Sequence, residues 1–159
     1  MKATVNWQNN MAFIGAGDSD FPVKMDSDVS VGGNSDGVRP MEMLALGLAG
    51  CTAMDVISIL QKKRQRVTRF EVKVDMSRAK EHPKVFTSAV IKYIFTGNDI
   101  DELAVLRALE LSATKYCPAQ FMFGQLFPIE LQYEIYEDTG DDVNNQLVYQ
   151  GVWQEGAPE

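Results

Sequence analysis

Histidine and cysteine are nearly missing from this chain: 159 residues hold one His and two Cys. His82 is isolated and no Cys-x-x-Cys occurs, which leaves too few soft ligands for a zinc site. His82 precedes Pro83 in "EHPK" and reads as a solvated turn residue rather than a catalyst. Basic residues are also in deficit. Fifteen Lys and Arg stand against 22 Asp and Glu, a formal charge of −7. That balance argues against a nucleic-acid binder or a protein of anionic membranes, both of which need basic patches. The start, "MKATVNWQNN", has no apolar core and no cleavage site, so no secretory signal is expected and the chain reads as cytoplasmic. An unbroken apolar run of about 20 residues is lacking too. The longest candidate, Leu44 to Leu60, is interrupted by Thr52, Asp55 and Ser58, and no membrane span is expected there. Internal repeats and low-complexity tracts are absent.

What is present is an ordinary globular composition, 45% hydrophobic and 23% charged, of a length that suits one domain. "KATVNW", "MAFIGAG" and "FPVKMDSD" read as three short strands, the first two joined by a turn at Asn9–Asn10. Ser30 to Pro40 is a loop rich in Gly, Asn and Asp. A helix follows, with Pro40 at its first position, Glu42 in its first turn and cations near Arg64 at its end. "RFEVKVDMS" and "VFTSAVIKYIFTG" alternate as two long antiparallel strands. Asn98 or Asp99 is the expected cap of a second helix, which reaches Cys117 before Pro118 interrupts or restarts it. "PIELQYEIYE" is a last strand. The final "LVYQGVWQ" either pairs with a sheet edge or stays loose. The order, βββ-α-ββ-α-β, predicts an α+β fold with antiparallel sheets.

The segment "LALGLAGCTAMDVISIL" is apolar nearly all round a helix, and such a helix is buried on all sides. One small domain rarely covers it, so a second copy of the chain is the expected cover. Ala45, Ala49 and Ala53 recur every four residues, with Gly47 and Gly50 beside them, which permits close approach. Cys51 and Asp55 are the intruders, one turn apart on the same face. A buried carboxylate needs a donor or a cation, and its charge disfavours a nearby thiolate. Arg39 and Lys115 are the candidate cations for the thiols. Glu42 lies about 180° round the helix from Cys51 and roughly 13 Å along it. It serves a partner's site or caps its own helix. Two cysteines in a reducing compartment are either two buried thiols or a redox pair; a structural disulfide is not expected. Phe121, Met122, Phe123 and Phe127 after Cys117 read as core, or as the wall of an apolar pocket.

"RPMEMLALGLAGCTAMDV", then "HPKVF", "ALELSATKYCP" and a final strand resemble the OsmC/Ohr superfamily, in its OsmC-like, YhfA-type branch. The group contains osmotically inducible and organic-hydroperoxide-resistance proteins of the stress response. The resemblance spans residues 1–137, leaving 138–159 as a C-terminal extension. It implies an intertwined homodimer with antiparallel sheets around two central helices and active sites at the subunit interface. By position Cys51 matches the peroxidatic thiol and Cys117 the resolving one. The implied reaction is reduction of an organic hydroperoxide, with a dithiol reductant restoring the pair and no metal, flavin or haem. Glu42 and Arg39 are the remaining candidate site residues. They depart from the hydroperoxide branch: Met41 fills the slot of its functional Glu, and no Arg lies between Trp7 and Lys24. The apolar surroundings favour alkyl or lipid hydroperoxides. The alternative is a non-enzymatic dimer that binds a small apolar ligand, its thiols purely structural.

Overall fold

The computed structural model describes residues 1–141 and 145–154. Two compact units are present, Met1–Ala45 and Leu46–Glu159.

In the first unit, β1 (Ala3–Asn9), β2 (Ala12–Gly17) and β3 (Val23–Met25) form an antiparallel sheet in that order. Asn10 makes the first turn in a left-handed conformation (φ 45°), which Asn tolerates. The loop after β3 is organised by Asp26, which is 2% exposed. Its carboxylate accepts from the backbone N–H groups of Ser27, Asn34 and Asp36, so it stays ionised despite burial. Gly33 is required there, because a Cβ would meet the Ser27 carbonyl oxygen at 2.0 Å. The loop delivers the chain to α1 (Pro40–Lys62), which has Pro at its first turn as its sequence predicts and runs on into the second unit.

In the second unit, β4 (Arg66–Arg78), β5 (Phe86–Asn98), β6 (Ile129–Glu137) and β7 (Gln146–Trp153) make one four-stranded sheet in that order. The architecture is α+β, with α2 (Glu102–Leu111) and α3 (Pro118–Gly124) between β5 and β6. The sheets are not wholly antiparallel, as the alternation had suggested. β5 and β6 are parallel, while β4–β5 and β6–β7 are antiparallel. The reason is the helical crossover: a connection through two helices returns the chain in its original direction. β7, within the extension 138–159, is the strand at the β6 edge. Residues 142–144 and 155–159 of that extension lie outside the described residues.

Period-two patterning places Ala89, Ile91, Tyr93 and Phe95 of β5 in the core with Leu131, Tyr133 and Ile135 of β6. Val105, Ala108 and Leu109 of α2 join them. Phe70, Tyr93 and Phe95 stack, with the Phe70 and Phe95 centroids 4.8 Å apart. α1 contributes a stripe at every fourth residue: Leu48, Thr52, Val56 and Leu60, all fully buried. By length and composition α1 would reach across a membrane, with a mean hydropathy of 1.9, although polar residues interrupt its sequence. Its stripe is nevertheless part of this core. Its other sides are not all covered: Leu46 and Met54 are 60% and 74% exposed.

α2 is capped by Asp101, not by Asn98 or Asp99. The Asp101 side chain accepts from the Leu103 N–H at 3.1 Å. Asp99 instead takes a left-handed backbone and pairs with Arg66. His82 is exposed between β4 and β5, as a turn residue should be.

Candidate functional site

α1 sets three neighbouring side chains by helical spacing. Thr52 points into the core stripe, while Cys51 and Asp55 lie half-buried on its flank. The other half of the site comes from the break between α2 and α3. After Leu111 the chain makes a π-helical turn, Ser112–Tyr116, closed by the Cys117 N–H donating to the Ser112 carbonyl at 2.9 Å. Single π turns of this sort occur often at functional sites. Cys117 is then extended and caps α3, with Pro118 at the first helical position. Its sulfur accepts from the Gln120 N–H at 3.3 Å. Pro118 thus both interrupts and restarts the helix.

The two thiols converge. Cys117 is 2% exposed and its side chain lies near that of Cys51. Burial pushes the Cys117 thiol up to about 12, against the opposing effect of the Gln120 N–H. The nearby Cys51 thiol and the Asp55 carboxylate raise it further. Asp55 is itself raised above the ordinary carboxylate range by burial, and the Ser112 hydroxyl only partly offsets this.

Beneath the thiols is a chain of buried hydroxyls that sequence reading did not assign. Thr52 Oγ1 lies 2.6 Å from Tyr93 Oη and 2.9 Å from Ser112 Oγ, and all three residues are fully buried. Ser112 Oγ donates to Asp55 Oδ2 at 3.5 Å. Desolvation drives the Tyr93 phenol well above its usual range. The one available signal was Thr52 on an otherwise apolar helix stripe; Tyr93 and Ser112 look like ordinary strand and helix residues. Gln120 was also missed. Its Oε1 is buried and, among the described residues, is the side-chain atom left without a partner.

The remaining predicted site residues engage each other in the first unit. Arg39 donates from its backbone N–H and from one guanidinium nitrogen to Glu42, both at 3.0 Å. Its other terminal nitrogen reaches Asp28 at 3.2 Å. Glu42 therefore caps its own helix, by half of a capping box. The Arg39 backbone N–H, then its guanidinium, holds Glu42 below the usual carboxylate range. Lys115, the other candidate cation, stands 5.4 Å over the Tyr116 ring.

Two cavities adjoin the second-unit cluster. One of about 270 Å³ is lined by Lys115, Tyr116, Cys117, Pro118, Phe121 and Met122. The aromatic set after Cys117 therefore divides. Phe121 and Met122 are more than half exposed and line this cavity, whereas Phe123 stacks on buried Phe127 at 5.7 Å. The second, of about 330 Å³, is lined by Asp55, Ser58, Ile59, Lys62, Lys63, Leu111 and Tyr116.

The chain has known relatives. Residues 32–132 match the family model described as OsmC-like protein. The chain is 40% identical over 137 residues to Protein YhfA of Escherichia coli K12, covering 85% of this chain and 98% of that one. A solved hypothetical protein from Aquifex aeolicus VF5 superposes with a TM-score of 0.75 at 25% identity, over 86% of this chain and 96% of its own. The organic hydroperoxide resistance protein OhrB of Bacillus subtilis shares the fold at 14% identity, with a TM-score of 0.57 over 84% and 98% of the two chains. Matched through its thiol-bearing segments and over most of its length, the chain belongs to the OsmC-like family.

Proposed function

We propose that this protein is a thiol-dependent reductase of organic hydroperoxides, with Cys51 as the attacking sulfur and Cys117 as the resolving one. The observation that carries the reading is the nearness of two thiols far apart in the chain. Their unequal burial supports the division of roles. Cys51 is half-buried and reachable, whereas Cys117 is enclosed and holds its proton at neutral pH. The Cys51 thiolate attacks the O–O bond, releases an alcohol and becomes a sulfenic acid. Cys117 then displaces hydroxide from that sulfur to form the disulfide, and an external dithiol restores both thiols by exchange. Apolar walls at Phe121 and Met122 suit an alkyl hydroperoxide better than hydrogen peroxide. Arg39 and Glu42 are proposed to complete the site of a partner subunit in a homodimer. The exposed Leu46 and Met54 of α1, with open space over Gly47 and Gly50, support a second copy as cover. The working location is proposed to be the cytoplasm, where a dithiol reductant is available.

The test is thiol titration before and after one equivalent of tert-butyl hydroperoxide. Wild type should lose both thiols to one intramolecular disulfide, Cys117→Ser should stop at sulfenate, and Cys51→Ser should not react. Thiols consumed no faster than free cysteine would end this reading. They would favour the second one, a non-enzymatic dimer that binds a small apolar ligand, which the deep burial of Cys117 supports.

A further inference from the structure

The two thiol-bearing segments are tied together by hydrogen bonds between their neighbours. Thr52, the residue after Cys51, holds its Oγ1 2.9 Å from Ser112 Oγ, at the first residue of the π turn. Tyr93 Oη anchors the same Thr52 hydroxyl to β5 at 2.6 Å. One turn further along α1, Asp55 accepts from Ser112 Oγ at a longer 3.5 Å. The helix therefore grips Ser112 with two side chains. Ser112 in turn accepts the Cys117 N–H on its carbonyl at 2.9 Å, which fixes the far end of the turn. At that end Cys117 Sγ accepts the Gln120 N–H at 3.3 Å. Thr52 lies in a stripe whose other members, Leu48, Val56 and Leu60, are apolar and fully buried. Packing alone would accept Val at that position, with no hydroxyl to satisfy. Two fully buried hydroxyls bonded to each other specify one arrangement of α1 against the turn, where apolar contact would tolerate several.

We propose that Thr52 and Ser112 are positioning residues, whose buried hydrogen bond clamps the π turn to α1 and so holds Cys117 in place to attack the sulfur of Cys51. This deepens the reductase reading above and rests on it for its biological setting. In the resolving step the Cys117 sulfur bonds to the Cys51 sulfur and the S–O bond of the sulfenic acid breaks. The hydroxide leaves with the thiol's proton as water. Neither hydroxyl exchanges a proton or an electron in that step, and neither touches the reacting atoms. Their contribution is orientation. Groups held in reacting geometry gain orders of magnitude over groups that must find each other, and a displacement of about 1 Å forfeits about 10²-fold. The clamp acts at both ends of the turn, because the residue that Thr52 holds is the residue whose carbonyl holds the Cys117 backbone.

The test uses 4,4′-dithiodipyridine, which reports resolution without any peroxide. Cys51 attacks it and releases one thiopyridone. Cys117 then attacks the mixed disulfide at the Cys51 sulfur and releases the second, and stopped-flow absorbance separates the two phases. Thr52→Val should slow the second phase at least about tenfold and change the first far less. Ser112→Ala breaks the same bond from the π turn and should slow it too, so the test does not hang on one variant folding. Thr52→Ser keeps the hydroxyl and should restore the wild-type rate. The double variant should fall short of the product of the two single effects, because they share one bond. Leu60→Ala, on the same stripe about two turns from Thr52, is the destabilised control and should keep its second phase. An unchanged second phase in Thr52→Val and Ser112→Ala, effects that multiply in the double variant, equal slowing in Leu60→Ala, or a wild type without a second phase would overturn the clamp. A chain that passes this test yet ignores tert-butyl hydroperoxide would overturn only the choice of substrate. One that reduces the peroxide while both variants resolve at the wild-type rate would overturn only the clamp.

Discussion

Glu42 and Asp55 are carboxylates on one helix, and their surroundings drive them in opposite directions. Glu42 lies in the open at the start of α1, and the Arg39 backbone N–H and guanidinium stabilise its charge. Asp55 lies three turns further on, where burial disfavours the charge and a single long hydrogen bond from Ser112 answers it. Residue type is the same in both places. The number of donors and the access of water decide the outcome. The same contrast separates the two groups of site residues. The Asp28–Arg39–Glu42 cluster is solvated and internally paired, whereas the thiols and hydroxyls of the second unit are governed by desolvation.

The largest expected effects come from the buried side. Leu60→Ala removes a fully enclosed side chain next to Val56 and should cost about 2–5 kcal/mol in urea unfolding, whereas Arg39→Ala should shift the midpoint far less. Equal shifts would mean that the exposed cluster is structural. Tyr93→Phe comes next. It strips one partner from Thr52 in the core and should cost about 1–3 kcal/mol.

Titration sharpens the contrast. The Cys117 thiol is raised from an ordinary 9.0 to about 12. A group raised in the folded state contributes stability below its unfolded value and loses it as pH climbs toward the folded one. Cys51→Ser, with Cys117 as its one thiol, should therefore lose stability between pH 9 and 12. Iodoacetamide should alkylate that thiol slowly at pH 8; rapid labelling there would contradict its enclosure. The smallest effects are the two carboxylates themselves. Asp55, raised by burial, contributes stability in acid that is lost as pH rises through its folded value, so Asp55→Asn should raise the melting temperature at pH 7. Glu42, lowered by Arg39, contributes stability above its unfolded value of 4.5 that is lost as pH falls, so Glu42→Gln should lower the melting temperature at pH 7 and not in acid. Same-sign shifts at pH 7 would break the comparison.

Much of this architecture was legible in the chain. Alternation marked the strands, and Pro40 with Glu42 marked the start of α1 to the residue. The thiol pair was legible through the motifs around Cys51 and Cys117. The parallel β5–β6 ladder was not, because alternation reports which face of a strand is buried and is blind to the direction of its neighbour. The cap of α2 was misplaced because Asn98, Asp99 and Asp101 offer the same chemistry, and only backbone geometry chooses among them. Thr52, Tyr93 and Ser112 were passed over since each is unremarkable in its own segment.

Sequence alone determined the local elements, the apolar stripe of α1 and the presence of two thiols in chemically distinctive segments, since each follows from the spacing of neighbours along one helix or strand. Tertiary structure alone decided that Cys117 is enclosed, that three hydroxyls meet beneath it, and that Asp55 rather than Glu42 has the raised proton affinity. Proton affinity depends on water and on donors brought from distant segments, and no spacing within a segment records either one.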